Sequence, residues 1–434
     1  MNSLKVILIF DIGKTNKKLF LFDVAYSLVY EKSITLKEIV DDDGDSCEDI
    51  KALSNWILDS IRVIQENKNF EIKAVHYASY GASLVYLDAK GEIVSPLYNY
   101  LKPFKEANKK SFESKYGSIE KICLETASPY LGNLNAGLQL YALKNNKPAL
   151  FDKIKWALHL PQYIHYLITG ELSTNITSVG CHTMLWNFAQ NNYHHWVKAE
   201  GFDTLFPAFT NSNGLHDSSA ALIPYLSSFQ EPFVLISTGT WSISLHPFNT
   251  QQLSIDEMKQ DVLQYLSYVG KPVKASRLFS GKEHELGVEK LNKHFNKPAQ
   301  HYTTLPYNVN IPISEKFHLE DLQSFKDYET AYHNLIADLV KKQIISTNLI
   351  IHNAPVKRIF VDGGFSQNEI FMNLLAAHYN KYEVFAAAIP QASSLGAALA
   401  VHDKWNTNAI PNNLISLTYY AAKTNMNQPQ QNEL

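Results

Sequence analysis

Apolar and polar residues follow one another along the N-terminal sequence in a pattern that predicts β-strands. Apolar runs at about 4–12 and 17–24 flank a short polar segment, and a third run lies near 27–35. Residues 48–66 repeat apolar positions at helical spacing, whereas the run at 72–79 again favours a strand. Strands that lead into a helix and then into another strand predict a mixed sheet with helices packed on it.

A second unit of strand, turn and strand occurs near the middle of the chain. The pattern of residues 104–205 is mainly helical, and FVLISTGTWSISLHPF at 233–248 then repeats the arrangement of the first two strands. The recurrence indicates an internal duplication with a cleft between the halves. Because a polar segment near Ser227–Pro232 separates them, we predict an α/β protein with two domains, 1–228 and 229–434.

Composition narrows the class of protein. The chain has 434 residues, more than one hydrophobic core usually supports, and 45% of them are hydrophobic and 19% charged. No run reaches the roughly 18 to 20 apolar residues of a membrane span and no signal-peptide pattern opens the chain, so we expect a cytoplasmic protein. The formal charge of −3 gives no general attraction to nucleic acid or anionic lipid.

The last eleven residues, TNMNQPQQNEL, are polar and expected to fray.

Three other features favour structural rather than chemical roles. Cys47, Cys123 and Cys181 are too few and too scattered for a disulfide framework, and no pair has zinc-ligand spacing. The acidic run 41–45 is expected to be a solvated loop. His194-His195-Trp196 is expected to start a helix, since adjacent histidines point in different directions and no third ligand is expected near them.

The turn between the first two strands, Asp11-Ile12-Gly13-Lys14-Thr15-Asn16, ends like a P-loop but cannot be one. A P-loop has a glycine five residues before Gly13 and a helix after its lysine, whereas here Leu8 occupies that position and a strand follows. Any phosphate bound at this turn is therefore bound by the tip of a β-hairpin.

A glycine-rich loop in the C-terminal half could also contact a ligand. A predicted strand at 359–361 runs into Asp362-Gly363-Gly364, and a helix begins around Ser366 to Asn368. Adjacent glycines let the backbone approach a ligand closely, and a helix N-terminus presents free N–H groups. A flat base or an anion would suit such a loop, although a tight connection is the alternative.

Asp217 follows Gly214-Leu215-His216 at the start of another predicted helix. Asp217 or Ser218 is a good N-cap, and this could be the only role of the carboxylate. The helix dipole also keeps such a carboxylate ionised, and an ionised carboxylate that points into a cleft can accept a hydroxyl proton. Asp217 is therefore a candidate general base.

Taken in order, these loops resemble those of the FGGY carbohydrate kinases, within the actin-like ATPase superfamily. The motifs that carry the resemblance are an Asp-x-Gly-x-Thr hairpin, Gly-x-His-Asp-x-x-Ala, Ser-Thr-Gly-Thr-Trp-Ser, Asp-Gly-Gly-x-Ser-x-Asn and Gln-Ala-Ser-Ser-Leu-Gly-Ala-Ala. The similarity covers nearly the whole chain. It implies two actin-like ATPase, ribonuclease H-like domains with an interdomain cleft that binds ATP and Mg²⁺.

The resemblance also implies roles for single residues. Asp217 matches the catalytic base, and Asp11 and Asp217 would lie beside the Mg²⁺ ion. Ser393 to Ala397 match the helix that connects the two halves. The residues that match ATP-binding motifs are Asp11, Gly13, Lys14, Thr15, Asn16, Ser237, Thr238, Gly239, Thr240, Gly363, Gly364, Ser366, Gln367 and Asn368.

The sugar-binding side matches the family less closely. Tyr80 and Ser83 stand where rhamnulokinases have Trp and Asp, and Asn99 and Asn175 replace carboxylates found in many members. His216 before the base resembles the rhamnulose and fuculose branches. The candidates for sugar contact are Tyr80, Gly81, Ser83, Asn175, His216 and Asp217, with His182 as a further candidate that could instead be a structural histidine.

The resemblance implies transfer of the γ-phosphate of Mg-ATP to a hydroxyl of a ketose. The ketose would be a deoxyhexulose such as rhamnulose or fuculose, or a pentulose such as xylulose. A catalytically silent nucleotide- and sugar-binding sensor of the same fold is one alternative, which the altered sugar segment favours. A chaperone or filament-forming ATPase is another, but it would not need His216-Asp217. The expected partner is a small sugar and neither nucleic acid nor membrane, and a homodimer is left open.

Overall fold

The computed structural model describes residues 3–211 and 213–421, and the C-terminal segment expected to fray lies outside these ranges. Two large sheets organise the described residues, one of five strands in the N-terminal half and one of seven in the C-terminal half. Helices pack on both sheets, which confirms the α/β class. Among the described residues, no helix is both long and apolar enough to cross a bilayer.

The N-terminal half contains the strands and helices up to Ser228. Its strands are β1 (Leu4–Ile12), β2 (Lys17–Asp23), β3 (Leu28–Ile34), β4 (Ile39–Val40), β5 (Ser46–Cys47), β6 (Phe70–Ser79), β7 (Leu84–Leu87), β8 (Trp156–His159), β9 (Trp186–Asn187), β10 (Asn192–Tyr193) and β11 (Leu215–His216). Its helices are α1 (Ile50–Glu66), α2 (Glu106–Tyr116), α3 (Ile119–Glu125), α4 (Ala136–Asn146), α5 (Pro148–Phe151), α6 (Leu160–Thr169), α7 (Ile176–Val179), α8 (His195–Ala199) and α9 (Asp217–Ser228).

The C-terminal half begins with the second predicted hairpin. Its strands are β12 (Phe233–Thr238), β13 (Ser242–His246), β14 (Val262–Leu266), β15 (Pro272–Leu278), β16 (Arg358–Gly363), β17 (Glu383–Ala388) and β18 (Ser416–Tyr420). Its helices are α10 (Ile255–Lys259), α11 (Ser280–His294), α12 (Tyr328–Ile351), α13 (Glu369–His378), α14 (Ala392–Ala400) and α15 (His402–Trp405).

The two sheets share one arrangement at their centres. Strand β1 pairs antiparallel with β2 and parallel with β6, and the strand order is β11-β6-β1-β2-β3. Strand β12 likewise pairs antiparallel with β13 and parallel with β16, within the order β14-β15-β13-β12-β16-β17-β18. In both halves, the turn after the central strand and the end of its parallel neighbour therefore lie at the same edge of the sheet.

Helix α14 of the C-terminal half packs against α9 and against β1 and β6 of the N-terminal half. A Cβ atom added to Gly396 would lie 1.8 Å from the carbonyl oxygen of Ala220, so the two helices meet backbone to backbone. Beside this crossing, Nδ1 of His76 lies 2.9 Å from the carbonyl oxygen of Ala397. The residues that match the connecting helix of the family thus lie where the two halves touch.

The acidic run 41–45 is not a simple solvated loop, because Asp41 is only 6% exposed. Two lysines from distant parts of the chain form ion pairs with the run. Lys102 pairs with Asp41 at 2.8 Å, with Asp43 at 2.6 Å and with Asp45 at 2.9 Å, whereas Lys147 pairs with Asp42 at 2.7 Å and with Asp43 at 2.9 Å.

The segment 104–205 is less uniformly helical than predicted, since WALH at 156–159 forms β8 against β7. The expected helix start at 194–196 is confirmed: His194 is the N-cap of α8, and its Nδ1 accepts from the N–H of Trp196. One expectation there was wrong, because Glu125 brings a third potential metal ligand close, with a carboxylate oxygen 2.7 Å from Nε2 of His194. Both ring nitrogens of His194 already have partners.

Candidate functional site

The turn between β1 and β2 lines a cavity of about 280 Å³. Gly13 closes the turn with an N–H bond to the carbonyl of Asn16 at 3.0 Å. Of the residues assigned to phosphates here, Lys14 points elsewhere, since its ammonium pairs with Glu38 at 2.6 Å. The residues that line the cavity are Asp11, Gly13, Thr15, Asn16 and Lys18. Lys18, which sequence reasoning missed, supplies the positive charge instead of Lys14.

Beneath the turn, Lys17 is buried and holds the backbone in place. Its ammonium donates to the carbonyls of Gly13 at 3.0 Å and Lys14 at 2.9 Å, and it pairs with Glu48 at 2.8 Å. Tyr80, predicted to contact sugar, donates its hydroxyl to Glu48 at 2.7 Å. The hydroxyl of Tyr80 therefore helps to hold the hairpin in place, since Tyr80 already donates its hydroxyl hydrogen to a buried carboxylate.

A larger cavity, of about 680 Å³, lies beside the second hairpin and the glycine-rich loop. Of the predicted ATP-binding residues, Thr238, Gly239, Gly364, Gln367 and Asn368 line it. Ser237, Thr240, Gly363 and Ser366 are not among the lining residues. The remaining wall comes from α11 and from residues 302–306, including Gly281, His284 and Tyr302, which no motif had indicated.

Hydrogen bonds join the second hairpin to the glycine-rich loop. Thr238 donates its hydroxyl to the carbonyl of Asp362 and accepts from the N–H of Phe365 at 3.0 Å. Asn368 caps α13 by accepting from the N–H of Phe371 at 2.9 Å, and its amide donates to the hydroxyl of Tyr332 at 2.8 Å. The two segments consequently form one rigid wall of the larger cavity.

The two adjacent glycines have different roles, which corrects the expectation that both admit a ligand. Gly363 has a φ of +77°, and a Cβ atom there would lie 1.8 Å from the carbonyl oxygen of Thr238, so the fold itself requires this glycine. A Cβ atom on Gly364 would meet nothing within 4 Å. Gly364 is therefore the glycine whose bare backbone faces open cavity.

Asp217 is the first residue of α9, and the N-cap is His216 rather than Asp217 or Ser218 as expected. One carboxylate oxygen of Asp217 accepts from the N–H of Ser218 at 2.6 Å and from its hydroxyl at 3.2 Å. The side chain keeps 37% of its surface open, yet the surrounding protein removes enough water to raise its pKa to about 6.

The charge of Asp217 reaches groups from several segments. Burial raises the pKa of Asp11, and the Asp217 carboxylate raises it further. The same two causes, in that order, raise the pKa values of Tyr100 and Tyr265. Asp11 also accepts hydrogen bonds from the hydroxyls of Ser393 at 3.2 Å and Ser394 at 3.0 Å. The first hairpin, Asp217 and the start of α14 therefore converge on one cleft.

A group of three histidines adjoins Asp217 through one of its members, His216. His216 places Nε2 3.3 Å from an oxygen of Asp217, and its ring centroid lies 5.8 Å from that of His182. Burial lowers the pKa of His216 to about 4 and, with the neighbouring imidazoles, those of His159 and His182 to about 3. Each ring keeps one buried nitrogen without a partner among the described residues. The sequence did not indicate His159, Tyr100 or Tyr265 as site residues: Tyr100 stands where the family motif has a carboxylate, and the other two lie outside the motifs.

Cys181 joins His182 and His216 in a group whose potential metal-ligand atoms lie within 4.8 Å of one another. Burial strongly raises the pKa of the Cys181 thiol, and its sulfur donates to the carbonyl of Ser178 at 3.1 Å. Because a metal ligand must be a thiolate, this protonated thiol does not favour a metal centre.

The other three predicted sugar contacts, Gly81, Ser83 and Asn175, have different surroundings. A Cβ atom on Gly81 would lie 2.7 Å from the ring of His216, so this glycine lets the imidazole approach. Ser83 is buried, 3.4 Å from the carbonyl oxygen of Tyr98. Asn175 is only 2% exposed. It accepts twice from Thr177 and donates to Asn213 and to the carbonyl of Thr210, which leaves its amide no capacity for a sugar and corrects that assignment.

Comparison with known proteins identifies the family. Residues 6–204 match the N-terminal domain of the FGGY family of carbohydrate kinases, and residues 230–308 and 330–401 match models of the C-terminal domain. A rhamnulokinase of Mannheimia succiniciproducens is 26% identical over 54% of this chain and 52% of its own length. A rhamnulokinase of Pectobacterium atrosepticum is 24% identical over 91% of this chain and 87% of its own length. The chain thus spans about half the length of the first of these relatives and most of the second.

Solved structures share the fold. A carbohydrate kinase from Novosphingobium aromaticivorans superposes with a TM-score of 0.78 at 19% identity, covering 97% of this chain and 95% of that one. A xylulose kinase from Rhodospirillum rubrum gives 0.76 at 13% identity, covering 96% and 94%. A Plasmodium falciparum glycerol kinase with ADP gives 0.72 at 15% identity, covering 98% and 95%. The predicted two-domain actin-like ATPase fold is confirmed, and this chain belongs to the FGGY family of carbohydrate kinases.

Proposed function

We propose that this protein transfers the γ-phosphate of ATP to a hydroxyl of a ketose, with domains 1–228 and 229–434 enclosing the reactants. One observation carries the proposal: the pKa of Asp217 is raised to about 6, and its charge raises the pKa of Asp11 at the base of the first hairpin, so the two carboxylates lie in one cleft. A carboxyl group with this pKa is largely ionised at neutral pH and still accepts a proton readily.

In this proposal the two hairpins bind the phosphates of ATP from opposite sides. Gly13, Thr15, Asn16 and Lys18 face them from the first hairpin, and Thr238 and Gly239 from the second. The nucleoside occupies the cavity of about 680 Å³, where Gly364, Gln367 and Asn368 contact it. Phosphoryl transfer requires mainly alignment of the reactants and neutralisation of charge, which two opposed loops supply.

Asp11 and Asp217 fit a divalent cation bound with the phosphates. Burial disfavours the charged form of each carboxylate, and the charge of Asp217 raises the pKa of Asp11 further. A nearby cation would offset both the burial of the charges and their mutual repulsion. When bound, Mg²⁺ would neutralise charge on the phosphate oxygens. Asp217 itself takes the proton from the sugar hydroxyl, and the enclosing domains exclude water that would compete for the phosphate.

The chemistry around Asp217 favours a neutral sugar. His159, His182 and His216 are uncharged at neutral pH because burial lowers their pKa values, and each retains a nitrogen for a hydroxyl group. Tyr100 and Tyr265 add hydroxyls near the same carboxylate. With relatives named rhamnulokinase, we place a deoxyhexulose such as rhamnulose first, and fuculose and xylulose next.

Release of ADP, measured with rhamnulose, fuculose, xylulose, glycerol or no sugar, tests the proposal. We expect release that depends on one of the ketoses. Asp217→Asn should abolish it while leaving nucleotide binding intact, whereas the control Asp59→Asn, on the exposed face of α1, should change neither. Sugar-independent release would instead indicate a chaperone or filament-forming ATPase.

The second candidate function, a catalytically silent sensor, is favoured by the altered sugar segment, in which Ser83, Asn99 and Asn175 replace carboxylates. A sensor would bind both a ketose and a nucleotide without producing ADP. Calorimetric titration of ketose in the presence of a non-hydrolysable nucleotide distinguishes it from the kinase. Binding without release would contradict the kinase assignment.

A further inference from the structure

A separate cavity of about 150 Å³ lies in the N-terminal half. The segment 98–108 forms one side and α4 the other, with Asn133 and Asp43 at its edge. It shares no lining residue with the cavity at the first hairpin or with the nucleoside cavity. A dry cavity of about this volume accommodates benzene in another protein, so a small molecule would fit.

Amide groups dominate the polar part of this cavity. They belong to Asn99, Asn108, Asn133, Gln139 and Asn146. Gln139, on α4, is only 6% exposed, and both its amide nitrogen and its amide oxygen lack a partner among the described residues. Buried polar groups nearly always have a partner in the protein or in an ordered molecule such as water. An orphaned amide at the wall of a cavity therefore points to an absent partner.

The charges near the cavity argue against an anion. The ammonium of Lys102 is engaged by Asp41, Asp43 and Asp45. That of Lys147 is engaged by Asp42 and Asp43, and it also donates to the hydroxyl of Tyr98 at 3.3 Å. Lys105 is an exposed third lysine at the rim. Four carboxylates thus outnumber three ammonium groups, which disfavours phosphate.

The unused groups suit a molecule that both donates and accepts hydrogen bonds. The side chain of Gln139 offers two N–H donors and an acceptor oxygen, the complement of a hydroxyl group, whereas the amides of Asn99 and Asn133 already use part of their capacity within the protein. Tyr98 and Phe104 supply ring surface for the carbon atoms between the hydroxyls. We propose that this cavity, which we call the amide cavity, is a second binding site for a small neutral polyol or monosaccharide, distinct from the site of phosphoryl transfer.

Nuclear magnetic resonance of protein labelled with ¹⁵N at glutamine side chains tests the proposal directly. The Gln139 amide signals are assigned by their loss in Gln139→Leu. The full-length protein is titrated separately with erythritol, ribitol and L-rhamnose, and with inorganic phosphate. We expect a saturable shift of the Gln139 signals with at least one polyol or sugar and none with phosphate, while those of Gln343, buried in α12, stay unchanged.

Two variants that fill the cavity complete the test. Ala142→Phe occupies the space from α4, and Asn146→Trp blocks the rim without touching the core, so the second serves if the first unfolds. Both should abolish the shift of the Gln139 signals while leaving ketose-dependent ADP release unchanged. The control Asn145→Phe, on the exposed side of α4, should preserve the shift.

Absence of a saturable shift with all three compounds would overturn the proposal, as would a shift with phosphate alone. A shift that survives in both filled variants would also overturn it, because binding would then lie elsewhere. None of these results depends on turnover, so a failure here is distinguishable from a failure of the proposed kinase activity.

Discussion

At the scale of single residues, the setting of Asp217 predicts how activity depends on pH. Burial raises its pKa to about 6, so the carboxylate form predominates above that pH and disappears below it. Because only the carboxylate accepts a proton, we expect kcat/KM for the ketose to be level above about pH 7 and to fall about tenfold per pH unit well below pH 6.

Sugar-dependent ADP release measured across that range checks this expectation, with thermal unfolding at each pH as the control for loss of fold. Asp11 lies in the same cleft and also has a raised pKa, so the profile reports the coupled pair. A rate that stays level from about pH 7 to pH 5 would contradict a base with a pKa of about 6, since only an Asp near its ordinary pKa of about 3.9 stays ionised over that range.

The two adjacent glycines predict opposite results of the same substitution. Gly364→Val places a side chain in open cavity and should weaken nucleotide binding with little effect on stability. Gly363→Val places its Cβ against the carbonyl oxygen of Thr238 and should mainly lower the thermal midpoint. Nucleotide titration and thermal unfolding of both variants check this. Unaltered affinity in Gly364→Val would show that the nucleoside binds elsewhere.

The sequence indicated the candidate loops more reliably than the side chains within them that are free to contact a ligand. It assigned Lys14 to the phosphates, whereas Glu38, brought close by the third strand, attracts that ammonium and leaves Lys18 in the cavity. It assigned Asn175 to the sugar, whereas Thr177 and Asn213 use its amide. In each case, a residue outside the motif determines where the side chain points.

At the scale of elements, the first hairpin shows what pattern can and cannot predict. Apolar runs on either side of a short polar segment predicted both strands and the turn, because the hydrophobic pattern of a strand is local in the sequence. The support beneath the turn is not local. Glu48, from another segment, pairs with Lys17 and accepts from the hydroxyl of Tyr80, and all three side chains are buried. No spacing rule links them.

This buried group predicts a defined loss in Glu48→Gln. Removing one charge of a buried pair leaves Lys17 uncompensated, which costs about 3–5 kcal/mol of stability. The carbonyls of Gly13 and Lys14 would lose a well-positioned donor, so ATP binding should weaken as well. Denaturant unfolding and ATP titration measure the two effects.

The double variant Lys17→Met with Glu48→Leu separates these effects. Replacing both charges by apolar groups of similar volume should restore much of the stability, since no charge remains buried alone. It should not restore ATP affinity, because the turn still lacks the ammonium that holds its carbonyls. Wild-type stability in Glu48→Gln alone would show that the pair contributes little.

At the scale of the whole molecule, the duplication was predictable and the cavities were not. Two hairpins of the same pattern indicated two related halves, and each hairpin does lie at the centre of its sheet. The nucleoside cavity, in contrast, takes much of its wall from α11 and residues 302–306, and the amide cavity from α4 and the segment 98–108. Cavities depend on how distant segments pack, which periodicity does not report.

The contact between Gly396 and Ala220 has a mechanical consequence. With no space for even a methyl group between the two backbones, sliding of α9 past α14 would produce a clash, so we expect any relative movement of the two helices to be a rotation about their point of closest approach. Asp11 lies near that point, because it accepts hydrogen bonds from Ser393 and Ser394 at the start of α14. A small rotation there would displace the outer walls of the cleft much more than it would displace Asp11.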